Sequence, residues 1–588
     1  MNDGGAYHEQ ERAGIALLFL WPLLLGLIWI CMIVLANPIG NFPLNDDWAY
    51  AHSVQHLLQH GELRFSDWTA TNLLGQVAWG ALFCLPVGFS FTALRFSTAV
   101  LGLVGILGTY GILRELNASR QAATVAALTL AFCPIYFVLS LTFMNDVPFV
   151  AFAIASLYLF MRGLRLESAP AIAASFILAG LAILTRQTGL ALPIAFACAL
   201  LTKKGIQPRS LWLSFLIVAI GIGLQFAYQV WLSHAGLLPA NFNRQISTIL
   251  ANSRMHLRPM LRDALSISFF CVMYLGFFTA PVLPFVNSSL GGKEKFSRTT
   301  SVVVTAAVLV LFGAILIWIG RLMPFWRNIL DETGVGTAGA GSVSKRPGAP
   351  VAFWVAATAI AFAGSVALVR NGLSALATLY NHLRSPAARC HSWQLLLLLS
   401  LAIVCFVPLP LAGFDQFGAY DRYILIFITL AIGICATVPR KKTATFLSII
   451  FRGAALVLLA IYALFSVAAT HDYLAWNRVR WNALQELTRE AKVPFDRIQG
   501  GFEFYGWYRF DRNSVMEWWR EKHYDYLVSF DRHDGYQVIK KQPVSWWLPW
   551  QRGDILVEEA TPAPSNHIHM TRVSMNEITN DNHSVVAL

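Results

Sequence analysis

The chain has 588 residues, of which 56% are hydrophobic and only 13% charged, and its mean hydropathy is +0.55. Soluble domains carry about 25% charged residues, so the composition excludes an ordinary soluble protein and points to repeated membrane crossings. The net charge of +12 is spread over short loops rather than gathered on a helix, finger or strand platform, which excludes nucleic-acid binding and fits topology coding.

Residues 1–12 are polar and mixed in charge. The apolar run 13–36 exceeds a signal-peptide core and no small-residue cleavage site follows it, so it reads as a retained first span. Further apolar segments fall near 92–113, 121–140, 147–161, 169–185, 187–202, 210–233, 264–288, 300–320, 350–369, 393–413, 423–439 and 453–470. That gives about thirteen crossings. The stretch 73–91 is apolar but broken by Gly75, Gln76, Pro86 and Gly88. If it does not cross, Arg114/Arg120, Arg162/Arg165, Lys203/Lys204/Arg209, Lys293/Lys295/Arg298, Arg384/Arg389 and Arg440/Lys441/Lys442 share one side, which is a consistent positive-inside pattern. If it crosses, every later loop flips and the basic clusters lie outside. The stretch is therefore expected to be juxtamembrane or re-entrant on the outer face. The N-terminus is then cytoplasmic and the C-terminal region outside.

The eight cysteines form no Cys-x-x-Cys pair and most lie in apolar segments, so neither a zinc site nor a disulfide framework is expected. The glycine-rich loop 333–349 lacks the Gly-Lys-Ser/Thr end of a phosphate loop. After residue 471 the chain turns polar. The organisation expected is a transmembrane domain over 1–470, with an active-site outer loop at 37–91, and a small α/β domain over 471–588. In that domain Trp476 to Ala491 has helical spacing, Tyr526 to Phe530 and Ile555 to Val557 read as strands, and Gly500 to Tyr508 as a strand running into an aromatic turn. Trp518, Trp519, Trp546, Trp547 and Trp550 suit either a membrane interface or an aromatic core. The fold class is thus an all-α polytopic membrane protein with a small outer α/β domain.

Chemistry is concentrated at the outer ends of spans. The tandem carboxylates Asp46 and Asp47 follow the first span, and Asp146 lies between two later ones. Acids placed at a membrane boundary are costly to desolvate and point to function. Such a carboxylate can act as a general base toward an acceptor hydroxyl or amine. A lipid phosphate can leave on the other side if a cation balances it, and arginine matches phosphate oxygens. Outer-face candidates are Arg95, Arg186 and Arg422, each of which also suits an interfacial anchor. Two neighbouring carboxylates can share a cation, though the spacing does not require one. His52, His56 and His60 recur every four positions, which reads as a polar helix face rather than a zinc site.

The string Asp46-Asp47-Trp48-Ala49-Tyr50-Ala51 resembles the Asp-acid-x-x-Tyr-Ala signature of GT-C membrane glycosyltransferases of family 39. That family includes protein O-mannosyltransferases and the aminoarabinose transferases that modify lipid A. The resemblance continues through Leu94-Arg95-Phe96-Ser97, Phe143-Met144-Asn145-Asp146-Val147-Pro148, Leu184-Thr185-Arg186 and Asp421-Arg422-Tyr423. It implies a GT-C fold, Asp46 as catalytic base, Asp47 and Asp146 in support, and Tyr50, Arg95, Arg186 and Arg422 binding substrate. Arg95 and Arg422 are the first candidates for the phosphate. It also implies a polyprenyl-phosphate sugar as donor, with an acceptor that the sequence does not identify. The second acid is Asp where the family commonly has Glu, and no MIR-like repeat insertion is present. The expected activity is inverting transfer of one sugar on the outer face of a bacterial-type plasma membrane. A lipid or solute transporter is the rival, and a catalytically silent scaffold a third option. Transporters usually hold ionisable groups at mid-membrane in broken helices and often carry internal repeats. Here the acids sit at span ends and no repeat is visible.

Overall fold

The computed structural model describes residues 3–242, 257–286, 298–320, 328–336, 347–384, 392–412, 420–438, 446–510 and 524–561, with a few single positions between them. Residues 337–346 of the glycine-rich loop lie outside the described residues, as do Asp415, Lys293, Lys295, Arg389, Arg440 to Lys442, Trp518 and Trp519.

Among the described residues, seven helices are long and apolar enough to cross a bilayer: Phe91–Glu115, Asp146–Leu166, Pro208–His234, Leu261–Thr279, Val351–Arg384, Trp393–Leu411 and Phe446–Glu490. The pair Arg120–Ala131 and Pro134–Ser140 makes an eighth if counted as one span bent by 65°. Proline causes that bend. Pro134 has no N–H to continue the ladder, and it holds Cys133 in the extended region. Leu20–Ala36, Leu74–Cys84, Ala169–Thr185 and Thr305–Ile319 are shorter apolar helices. Helix length and composition therefore account for seven or eight of the thirteen expected crossings.

Two short helices lie between Leu20–Ala36 and the first long helix. Asp47–His60 is helical and stops at Gly61, whose left-handed φ of 72° lets its N–H reach Leu57 O. Leu74–Cys84 has 11 residues, about 16 Å at 1.5 Å per residue, roughly half a hydrocarbon core. It fits the juxtamembrane reading of 73–91. It presses on Ala169–Thr185 so closely that a Cβ at Gly75 would lie 2.5 Å from Thr185 Oγ1 and 2.8 Å from Leu181 O. Only glycine permits that approach.

The last long helix, Phe446–Gln485, has 40 residues and runs past residue 470 without a break. The segment beyond it forms a four-stranded sheet. Ile498–Gln499 pairs parallel with Tyr526–Ser529, which pairs antiparallel with Asp554–Ala560, and that strand pairs antiparallel with Tyr536–Pro543. The strand expected over Gly500 to Tyr508 is instead the helix Phe502–Arg509. Its contacts follow a period near four rather than two. Phe504 packs on Tyr508 one turn away, with ring centroids 5.1 Å apart. Glu503, on the buried side, pairs with Arg480 at 2.8 Å, and both are 1% exposed. Asp472 ties the sheet unit to the long helix by accepting from the amides of Trp547 at 2.7 Å and Leu548 at 3.0 Å. Trp546 donates to Gly553 O and Trp550 to Thr333 O, so both indole N–H groups are used inside the protein.

Candidate active site

Two helix N-termini meet one arginine. Asp46 is the N-cap residue of Asp47–His60, and Asp146 is the first residue of Asp146–Leu166. The positive end of a helix favours a carboxylate at such positions. Arg422 lies in the short 3-10 turn Asp421–Ile424. Its Nη1 is 3.5 Å from Asp46 Oδ2, and its Nε is 3.8 Å from Asp146 Oδ2. Asp146 Oδ1 accepts a hydrogen bond from Arg186 Nη1. Arg186 ends the helix Ala169–Thr185, and its guanidinium lies 4.7 Å over the Tyr423 ring. Two carboxylates thus face two guanidiniums. Asp146 is 1% exposed and Arg422 9%, whereas the Asp46 side chain keeps 17% of its surface open. Asp46 is therefore the more open acid of this cluster. Among the described residues, Arg422 Nε and Nη1 and Asp146 Oδ2 are buried without a hydrogen-bond partner, so the cluster holds unused capacity for polar contacts.

Tyr50 stands one helical turn after Asp46, on the same side of the helix. It is buried, and burial pushes its phenol above the usual range, with Asp46, Arg422, Asp146 and Arg186 acting on it electrostatically. Its proton is retained at neutral pH. Asp421 fixes the turn that carries Arg422, because its carboxylate accepts from the amides of Ile329 and Leu330.

Asp47 does not join this cluster. Its side chain is fully buried, and Oδ1 and Oδ2 accept from the amides of Leu44 at 2.6 Å and Phe143 at 3.3 Å. Successive residues at a helix start point in different directions, so one acid of the tandem pair faces the opening and the other the core. Arg95 departs from expectation in the same way. It is fully buried, donates to Pro38 O at 2.9 Å, Gly40 O at 2.8 Å and Phe42 O, and stacks 4.4 Å over the Phe42 ring. A guanidinium held by three carbonyls of its own chain is not a free phosphate ligand. Arg95 and Asp47 instead anchor the loop that delivers Asp46. Nor do the three histidines converge: His52 stacks on Trp507 at 4.1 Å, and His56 on His60 at 4.4 Å.

One contact was not legible in the sequence. Trp68 Nε1 donates to Asp46 Oδ1 at 2.9 Å. Neither spacing nor local pattern links the two residues.

Burial pushes the Asp47 carboxyl up to about 7, against the pull of Arg95 and of two amides. It raises Asp421 to about 7 against the amides of Leu330 and Ile329. The folded protein therefore keeps protons that the unfolded chain releases above about pH 4. Their contribution to stability is complete below that pH and is lost as pH rises through about 7. Thermal unfolding in detergent is expected to show stability falling over that window and levelling above it. Asp47→Asn and Asp421→Asn should each flatten the slope; an unchanged slope in both would refute the assignment.

Comparison with known proteins agrees with the motifs. Residues 77–231 match the family described as dolichyl-phosphate-mannose-protein mannosyltransferase. The match is a likeness over part of the chain. It supports a glycosyltransferase and gives no support to a transporter. Arg95, Asp146 and Arg186 fall within the matched residues; Asp46, Asp47, Tyr50 and Arg422 lie outside them. Among solved structures, the chain is similar to the apo oligosaccharyltransferase of Archaeoglobus fulgidus, with 14% identity and a TM-score of 0.41, over 84% of this chain and 60% of that one. It is also similar to ArnT from Cupriavidus metallidurans bound to undecaprenyl phosphate, with 13% identity and a TM-score of 0.39, over 92% and 98% of the two chains. The chain thus spans only 60% of the length of the oligosaccharyltransferase. No curated protein matches it.

Proposed function

We propose that this multi-pass glycosyltransferase moves one sugar from a polyprenyl-phosphate donor to an acceptor on the outer face of a bacterial-type plasma membrane. The N-terminus is then cytoplasmic, and the sheet unit after the last long helix lies outside. The observation that carries the reading is the partly open Asp46 carboxylate beside Arg422, with buried Asp146 and half-buried Arg186 behind it. The mannosyltransferase match and the family's use of lipid-phosphate sugars support the donor class.

In the reaction Asp46 takes the proton of the acceptor hydroxyl or amine. The freed electron pair attacks the anomeric carbon. The bond from that carbon to the phosphate oxygen breaks, and the lipid phosphate leaves with the bonding pair. Direct displacement inverts the anomeric centre. Arg422, with Arg186 next to it, stabilises the phosphate, and charged hydrogen bonds of this kind are the strong ones. Asp146 holds both arginines in place. Tyr50 supplies a protonated phenol beside the base. Asp47 and Arg95 act through the loop rather than on the substrate.

The test is direct. Purified protein in lipid nanodiscs is incubated with labelled polyprenyl-phosphate sugars and a panel of lipid, glycan and peptide acceptors. Transfer of a single sugar with inverted configuration is expected. Retained configuration, or movement of the intact donor across the membrane without transfer, would overturn the reading.

A further inference from the structure

A base that must accept a proton works best when one carboxylate oxygen is held and the other is left for the substrate. Asp46 meets that condition. Its Oδ1 receives the Trp68 indole N–H, and its Oδ2 lies toward Arg422. The indole is a donor only and cannot take up a proton, so it orients the carboxylate without competing for the acceptor's proton.

Trp68 is itself fixed from two sides. Its carbonyl accepts from Asn241 Nδ2 at 2.9 Å, and the neighbouring Asp67 Oδ1 accepts from the Ala240 amide at 2.9 Å. Its ring packs against Trp48 at 6.1 Å, Phe502 at 5.6 Å and Phe510 at 6.2 Å. Phe502 starts the short helix after the last span and Phe510 directly follows it. Trp48, on the base's own helix, is clamped by the same group: a Cβ at Gly506 would lie 2.2 Å from its indole.

We propose that Trp68 is a positioning residue for Asp46, and that Phe502 and Phe510 lock it in place so that the C-terminal segment sets the geometry of the base. The kinetic side of the proposal rests on Asp46 being the base. Other charged or titratable groups around Asp46 are Tyr50 on its own helix, Arg422 on the 3-10 turn and, behind Arg422, Asp146 and Arg186.

The experiment has a spectroscopic arm and a kinetic arm, both on full-length protein in nanodiscs. With indole-labelled tryptophan, the Trp68 N–H resonance is assigned by its loss in Trp68→Phe. It is expected to shift when Asp46 is replaced by Asn, and to shift again in Phe510→Ala. A resonance that ignores Asp46→Asn overturns the hydrogen bond, and one that ignores Phe510→Ala overturns the lock, whatever the turnover. In the kinetic arm, Trp68→Phe should lower kcat roughly 10- to 100-fold, the range for a lost hydrogen bond to a charged group. Donor KM should change little. A rise in donor KM with kcat unchanged would make Trp68 merely structural and refute the proposal. A wild-type protein that transfers no sugar from any polyprenyl phosphate counts against the transferase reading instead, and the resonance then decides the role of Trp68.

Discussion

Asp46→Asn is expected to lower sugar transfer by about two to four orders of magnitude, the usual cost of losing a positioned general base. Asparagine keeps the size of the side chain and an oxygen for the Trp68 N–H, so the helix start and the aromatic packing around it should survive. It removes the negative charge that faces Arg422 at 3.5 Å. Donor binding should therefore hold or tighten slightly, because Arg422 is freed for the phosphate. The measurement is single-turnover transfer beside a donor-binding isotherm. Near-normal turnover in Asp46→Asn would remove it from the base role. Asp47→Asn separates the two acids of the pair. Its carboxylate holds the amides of Leu44 and Phe143, so it should lower thermal stability, with activity following the folded fraction.

Replacing Arg422 is expected to have the second large effect. Among the described residues, Arg422→Gln leaves Asp146 with Arg186 alone and Asp46 with no cation within salt-bridge distance. Removing one partner of a buried charge pair costs about 3–5 kcal/mol, and Asp146 is 1% exposed. The partly open Asp46 contributes less, because solvent screens it. The lost phosphate contact adds about 1.5–3 kcal/mol to donor binding. Arg422→Lys keeps the charge but loses the planar fork, so it should restore stability more fully than donor affinity. Arg186→Lys should show the same split. Arg95→Lys should show the reverse, with stability lost and donor affinity of the folded protein unchanged, because its guanidinium serves backbone carbonyls. Measuring unfolding temperature and donor affinity for all three lysine variants distinguishes the roles. Should Arg95→Lys weaken donor binding while Arg422→Lys and Arg186→Lys leave it intact, the assignment of the phosphate site fails.

Much of the architecture is written in the sequence because a bilayer punishes charge. The apolar runs, the basic loops between them and the broken stretch 73–91 follow from solvation alone, and the 11-residue helix Leu74–Cys84 matches that reading. So does the helix past residue 476, where Trp481, Leu484 and Leu487 share one buried face. Period failed at Gly500 to Tyr508. An aromatic-rich stretch with glycines satisfies strand and helix patterns alike, and the choice fell to tertiary contacts such as Glu503 with Arg480.

The sequence by itself determined that acids stand near the ends of apolar segments and that arginines stand near them, since both are costly anywhere deeper in a membrane. It could not say which acid meets which arginine. Asp46 and Asp47 are adjacent in the chain, yet a helix start turns one outward and the other inward. Arg95 and Arg422 both lie at span ends, yet the loop carbonyls of Pro38, Gly40 and Phe42 capture the first, while the second is left between Asp46 and Asp146. Trp68 meets Asp46 in a loop packed against Asn241, Phe502 and Phe510, all remote in the chain. Solvation cost depends on each residue's own chemistry and can be read locally. Pairing depends on which distant segments the packed helices bring together, and only the tertiary structure decides that.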